Sequence, residues 1–250
     1  MKNVPAKKYL GQHFLKEEDI AFRITNLLHK NTKHVLEIGP GMGALTKFLI
    51  KKNIKLETIE IDEDSVIYLN SLYPKLVVKN EDFLKIDIKT RYSKGISLIG
   101  NFPYNISSQI LFKIYENKNY INEIVGMFQK EVAERIVCQN GKKRGILSVF
   151  IQAFYNTNYC FTVDPKYFIP PPKIQSGVVK FIRNQRRNLN CDENLFIKIV
   201  KKGFSQKRKT LRNSLKTFNF ENKKEIEHLL NFRAEQLTVD NFIKITNHVS

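Results

Sequence analysis

The chain is short of acid: 24 Asp and Glu stand against 42 Lys and Arg in 250 residues, a formal net charge of +18. That balance disfavours a cationic partner and points to a polyanion. No amphipathic anchor for a membrane surface is evident, so nucleic acid is the expected partner. Cysteine is scarce as well. Cys138, Cys160 and Cys191 lie far apart, with neither the pairing of a disulfide framework nor a metal-like spacing. Buried thiols in a reducing compartment are expected, and no bound metal. No apolar run approaches the roughly 20 residues needed to cross a bilayer. The first eight residues lack the apolar core of a secretory signal, so a cytoplasmic location is expected. No internal repeat or long low-complexity tract is present, and no catalytic His or Cys dyad stands out.

Hydrophobic content of 42% supports a real core. Strand-like and helix-like segments alternate. Ile20, Ile24, Leu27 and Leu28 recur at helical spacing after an acidic start. Residues 34–38, 56–61, 76–79, 96–100 and 124–128 read as strands. Helices are expected over 44–51, 107–116, 129–139 and 145–155, and β-rich runs over 157–163 and 177–182. This alternation predicts an α/β fold with a Rossmann-like, doubly wound, mainly parallel seven-stranded sheet. Its last two strands, joined through a proline-rich loop, are expected as an antiparallel addition at the edge. A polar, basic hinge at 183–188 then precedes helical segments at 193–202, 207–216, 222–230 and 239–247. Two domains follow from this reading: 1–187, and a small all-helical domain over 188–250.

The chemistry-bearing residues fall at strand ends. Asn101-Phe102-Pro103-Tyr104 follows the apolar run 96–100, where an open α/β sheet forms its ligand crevice. Asn101 offers an amide oxygen, Pro103 a rigid extended turn and Tyr104 an aromatic face. Those three groups suit a planar exocyclic base amine, whose lone pair is delocalised into its ring. The first strand ends in Glu37-Ile38-Gly39-Pro40-Gly41-Met42-Gly43, which lets a ligand approach the backbone closely. Its spacing is not the dinucleotide fingerprint, so a pyrophosphate is less favoured. Glu60 ends the second strand 21 positions after Gly39, where an acid would grip a ribose, and Asp82 follows the third. Carboxylates around an adenosine without phosphates suit S-adenosylmethionine. A nicotinamide cofactor is the competing ligand, although hydride transfer has no evident use for an amine clamp.

At this point the chain resembles the ribosomal RNA adenine N6,N6-dimethyltransferases of the small-subunit type. The likeness rests on Gly11-Gln12-His13-Phe14-Leu15, Glu37-Ile38-Gly39-Pro40-Gly41, Ile59-Glu60-Ile61-Asp62 and residues 101–107. It continues through Gln129-Lys130-Glu131-Val132-Ala133, Pro170-Pro171-Pro172-Lys173 and residues 204–211. The resemblance implies methylation, by S-adenosylmethionine, of two adjacent adenosines in the loop of the 3′-terminal helix of small-subunit ribosomal RNA. It implies cofactor contacts at His13, Leu15, Gly39, Glu60, Asp82 and Asn101. It places the target amine at Asn101 and the Pro103 carbonyl region, with the base clamped between Tyr104 and Phe168. The family often carries Asn at the position of His13, and Leu or Ile at that of Phe102.

From Lys198 to Lys216 there are eight basic residues and no acidic one. This segment is expected to be helical and to contact RNA phosphates, with Lys207, Arg208, Lys209 and Arg212 as the named contacts. The expected partners are small-subunit ribosomal RNA and the pre-30S particle, bound by a monomer. Rival readings are a large-subunit RNA adenine methylase of the macrolide-resistance type, a DNA adenine methylase, and a non-catalytic RNA-binding assembly factor.

Overall fold

The strand-like runs assemble as nine strands in a computed structural model that describes residues 4–250. They are β1 (Phe14–Leu15), β2 (His34–Ile38), β3 (Lys55–Glu60), β4 (Val77–Asn80) and β5 (Ile96–Asn101). β6 (Ile121–Gln129), β7 (Tyr155–Val163), β8 (Phe168–Ile169) and β9 (Ser176–Arg183) follow. Seven of them form one sheet in the order β4-β3-β2-β5-β6-β9-β7. β2 pairs in parallel with both β3 and β5, as Leu36↔Glu57 and Leu36↔Leu98. β5 pairs in parallel with β6. β9 runs antiparallel to β6, with Gly126 opposite Val179. It therefore enters between β6 and β7. Ile96 to Gly100 and Ile124 to Phe128 are buried throughout, because a sheet covered on both faces needs near-continuous apolar strands.

Strand order reverses at β2. From there the chain builds outward to β3 and β4, then returns to place β5 on the other side. A crevice opens at the carboxyl ends of strands at such a switch point. The ends of β2 and β5 carry Gly39 and Asn101. The helices of this part are α1 (Glu18–Asn26), α2 (Thr46–Leu49), α3 (Glu63–Leu72), α4 (Ile88–Arg91) and α5 (Ser107–Glu116). Ile20 and Ile24 of α1 are buried at 6% and 0% exposure, as their spacing predicts. α2 is shorter than the segment expected over 44–51, and its flanks are turns.

Six helices lie partly or wholly in the remainder: α6 (Lys130–Val137), α7 (Ile146–Phe154), α8 (Glu193–Ser205), α9 (Leu211–Ser214), α10 (Glu227–Leu230) and α11 (Val239–Thr246). The chain divides into two compact units. One is the chain to Ala133 with Asn156–Arg183; the other is Glu134–Tyr155 with Asn184–Ser250. The second unit starts near the expected 187/188 boundary and also takes in residues 134–155. α7 explains this: Val149, Phe150, Ile151, Ala153 and Phe154 are all buried, so it needs cover on several sides. α8 and α11 pack against it and against each other. In α8, a Cβ on Gly203 would lie 2.9 Å from Leu211 Cδ2, so only glycine lets α9 approach this closely.

Two expected helices are corrected: within 222–230 only Glu227–Leu230 is α-helical, after a left-handed Asn222 and a tight turn at Lys223–Glu225. Within 207–216 only Leu211–Ser214 is α-helical. Gln206 leaves helical geometry (φ −126°, ψ 70°) and Thr210 is extended (φ −68°, ψ 161°). Lys207-Arg208-Lys209 is therefore a turn between α8 and α9. Three adjacent cations gain nothing from helical stacking on one another.

Candidate active site

Two backbone elements and one side-chain network build the cleft of the sheet unit. The first element is the glycine-rich turn after β2. Gly41 has φ +54°, and a Cβ there would stand 2.8 Å from the Phe14 ring. Gly39, at φ +65°, faces open space, with nothing within 4 Å of a Cβ position. Its N–H donates to the Ile59 carbonyl (2.9 Å), tying the turn to β3. The second element is the turn after β5, with Pro103 at φ −56° and ψ 131° leading into the Tyr104–Ile106 turn.

Side chains then close the walls. The Gly41 N–H donates to Glu60 Oε2 (2.9 Å) and the Asp62 N–H to Glu60 Oε1 (3.0 Å). Burial raises the Glu60 carboxyl above the usual range, and those amides act against the rise. Glu37, 1% exposed, accepts from Thr46 Oγ1 (2.7 Å). Burial pushes its carboxyl up to about 8; the Thr46 bond opposes this and the nearby Glu60 charge adds to it. Asp62 is held by Ser65 Oγ (2.7 Å), Gln12 Nε2 (3.0 Å) and the Lys7 ammonium. Burial alone would raise its carboxyl, but these bonds hold it below the ordinary value.

The cleft is lined by Leu10–Leu15, the glycine-rich turn, Glu37, Glu60, Ile61 and Asn101–Tyr104. Of the expected cofactor residues, His13, Leu15, Gly39, Glu60 and Asn101 line it. Asp82 does not: it borders a neighbouring recess with Lys85 and Ile86, and its Oδ1 accepts from the Leu84 N–H (2.9 Å).

Asn101 Nδ2 donates to the His13 carbonyl (2.9 Å), which leaves Oδ1 as the amide atom available to a ligand. His13 Nδ1 lies 2.7 Å from the Pro170 carbonyl and so donates to it. The His13 ring centroid is 5.6 Å from that of Tyr104. Tyr104 is half-buried and its hydroxyl meets Ser176 Oγ at 2.5 Å. Burial raises the Tyr104 phenol above its ordinary value.

Three expected roles change. Phe168 is 1% exposed and packs with Leu15, Val163 and Val178 in the core. A ring so enclosed offers no face to a base, so the clamp expected there is not formed. The Pro103 carbonyl accepts from Ser107 Oγ (3.1 Å) and the Ile106 N–H (3.3 Å), which engages it within its own turn. The Phe102 carbonyl, one residue earlier, accepts no hydrogen bond among the described residues. Arg212 is not a free cation: it donates to Glu227 (2.9 Å) and Asn231 (3.0 Å). Lys207, Arg208 and Lys209 are exposed, with no ion pair among the described residues.

Glu37, Gln12, Ser176 and the Phe102 carbonyl were not singled out from sequence. Glu37 carried a signal, as the one charged residue inside the apolar run 35–38.

A cavity with two buried carboxylates on one wall, an apolar Ile61 exposed at 53% and an amide oxygen beside an aromatic ring fits an adenosine-bearing cation. With the strand order, these residues define an S-adenosylmethionine-dependent methyltransferase. The profile of the ribosomal RNA adenine dimethylase family matches residues 3–250, and the chain belongs to that family. It is 54% identical to "Ribosomal RNA small subunit methyltransferase A" of Flavobacterium johnsoniae, across 100% of this chain and 97% of that one. The protein of the same name from Bacteroides thetaiotaomicron is 49% identical, across 100% and 96%. A dimethyladenosine transferase from Plasmodium falciparum superposes with a TM-score of 0.79 at 27% identity, across 95% and 99% of the two chains. The 23S rRNA methyltransferase ErmE shares the fold, with a TM-score of 0.74 at 20% identity, across 94% and 98%. No helix among the described residues is long and apolar enough to cross a membrane.

Proposed function

We propose that the protein dimethylates the N6 amines of two adjacent adenosines in the loop of the 3′-terminal helix of small-subunit ribosomal RNA. The observation that carries this is the bond of Asn101 Nδ2 to the His13 carbonyl, which leaves Oδ1 of this cleft-lining residue for a ligand. Oδ1 and the Phe102 carbonyl are two acceptors on consecutive residues. Holding both amine hydrogens, they draw the nitrogen lone pair out of conjugation with the ring. Tyr104 supports the ring face. Extracting the base costs a few kcal/mol, offset by stacking worth about 1–3 kcal/mol.

The cofactor supplies an electrophilic methyl group on a sulfonium. Gly39 and Glu60 would hold its ribose side, and His13 and Leu15 its outer wall. Asp82 lies outside the cleft lining, on the recess with Lys85 and Ile86, and would meet the cofactor only at its adenine end; the Glu81 N–H before it donates to the Glu60 carbonyl (3.1 Å). The reaction then depends on positioning and electrostatics, with no strong base required. Lys207, Arg208 and Lys209 offer exposed charge to RNA phosphates. The substrate is read as the pre-30S particle and the enzyme as a cytoplasmic monomer.

The test is incubation of Asn101→Ala and the parent protein with labelled S-adenosylmethionine and unmethylated small subunits, followed by mapping of modified nucleosides. The parent should yield paired dimethyladenosines near the RNA 3′ end, and the variant none while still binding particles. Near-normal turnover by the variant would sink the assignment. Modification of large-subunit RNA instead would move the reading to the macrolide-resistance type.

A further inference from the structure

Tyr9 is the most exposed large hydrophobic side chain among the described residues, at 75%. It stands on the short turn Lys8–Leu10, whose next residues, Gly11, Gln12 and His13, line the cleft. That turn is held firmly. The Lys7 N–H donates to Gln12 Oε1 (2.7 Å), and Gln12 Nε2 reaches Asp62 (3.0 Å). Gly11, at φ +67°, lies so close to Asn105 that a Cβ would meet Asn105 Oδ1 at 2.9 Å. Asn105 directly follows Tyr104. An aromatic ring with almost no cover is thus fixed beside the loop that carries the amine-binding residues.

Across His13 stands a second exposed segment. The Pro170 carbonyl accepts from His13 Nδ1, and Ile169 and Ile174 are exposed at 58% and 44%. Neither residues 4–16 nor residues 165–175 contain an acid. Lys8, Lys16 and Lys173 are exposed there, with no ion pair among the described residues. Apolar tips among uncompensated cations match single-stranded nucleic acid, whose bases stack and whose phosphates need charge. Lys7 is paired with Asp62 and Asp64, so the unpaired charges of these two segments are all basic, and a protein partner would gain little from them.

We infer that this rim is an RNA-contact surface on which Tyr9 stacks the nucleotide next to the adenosine held in the cleft. The inference rests on the reading of the cleft given above. When one of two adjacent adenosines enters the cleft, its neighbour is left at the mouth, joined by a single phosphodiester. Tyr9 is the aromatic surface there. It acts as a specificity determinant and positioning residue, and Lys8 and Lys173 contact the flanking phosphates.

The test compares Tyr9→Ala and Tyr9→Phe with the parent on unmethylated small subunits. Tyr9→Ala should raise KM about five- to 150-fold, the range of base–aromatic stacking. Cofactor affinity and thermal midpoint should stay unchanged, because the side chain is almost wholly exposed. Tyr9→Phe should recover the parent KM. A paired Lys8→Glu and Lys173→Glu variant should make KM less salt-dependent. Tyr9→Ala kinetics within twofold of the parent would overturn the inference, as would Tyr9→Phe damage equal to that of Tyr9→Ala. Asn101→Ala run alongside separates the levels. If it is inactive while Tyr9→Ala behaves as parent, only the rim assignment fails; if it still methylates, the reading of the cleft fails first.

Discussion

Replacing Tyr104 with Phe removes one oxygen and leaves the ring. In the structure that oxygen meets Ser176 Oγ at 2.5 Å, and Ser176 is 0% exposed. The variant leaves a buried hydroxyl without this partner, at a cost of about 1–2 kcal/mol. For a chain of this size the thermal midpoint should fall by roughly 2–8 °C. The ring face survives, so kcat/KM on small subunits should stay within about fivefold of the parent. Tyr104→Ala removes the face itself. Loss of stacking worth about 1–3 kcal/mol lowers kcat/KM by about five- to 150-fold, and misplacement of the amine adds to that. Ser176→Ala completes a double-mutant cycle, in which a coupling near 1 kcal/mol is expected between positions 104 and 176. Equal loss of activity in the Phe and Ala variants would refute the stacking role. Strict additivity of Tyr104→Phe and Ser176→Ala would refute the anchoring bond.

The Glu37 carboxyl, raised to about 8 by burial, faces Glu60 and the bond from Thr46. In the cofactor-free protein it keeps a proton that the unfolded chain has lost between about 4.5 and 8, so stability should fall as pH rises through that window. A bound cation favours the carboxylate, so cofactor binding near pH 7 should release protons and tighten as pH rises to about 8. Calorimetry in buffers of different ionisation enthalpy should show this release, and Glu37→Gln should abolish it; no release in the parent would refute the assignment. Gly41→Ala should weaken cofactor binding and cost about 1–2 kcal/mol from the left-handed backbone alone, with further loss from the Phe14 clash; parent-like denaturant unfolding would contradict this. Reversing Lys207, Arg208 and Lys209 to Glu should flatten the log–log salt dependence of particle binding by roughly two to three in slope. Cofactor affinity should hold, and a parallel loss would indicate misfolding instead.

How far the sequence could be read depended on how local each cause was. β2 and α5 have the bounds expected of them, because an unbroken apolar run and a clear helical face are local signals. α3 was passed over: Val66 and Leu69 face inward, but Ile67 is 62% exposed and blurs the stripe. The β1–β8 ribbon pairs Phe14 with Ile169, a contact that no short window contains. Phe168 shows the same limit. A Phe beside a proline loop reads alike whether it faces a cleft or the core, and only the packing with Leu15 and Val163 decides. Arg212 looked like its basic neighbours until Glu227 and Asn231 were found against it. Of the site, Gly39, Glu60 and Asn101 were legible because strand topology delivers them to one crevice, whereas Asp82 falls on the recess with Lys85 and Ile86. The groups that orient them were not: the His13 carbonyl, Ser176 and Gln12 reach across 88, 72 and 50 positions.

The late arrival of β9 has a consequence for how the molecule can be made or cut. β6 is buried along most of its length, yet its antiparallel neighbour comes only after α6, α7 and β7 have been laid down. A ribosome making this chain therefore exposes a sheet with the largely buried β6 still unpaired on one side. Trimming the product after residue 187 would not release a free-standing catalyst either. It would strip α8 and α11 from α7 and uncover Phe150 and Phe154, turning a tidy-looking domain boundary into an aggregation site.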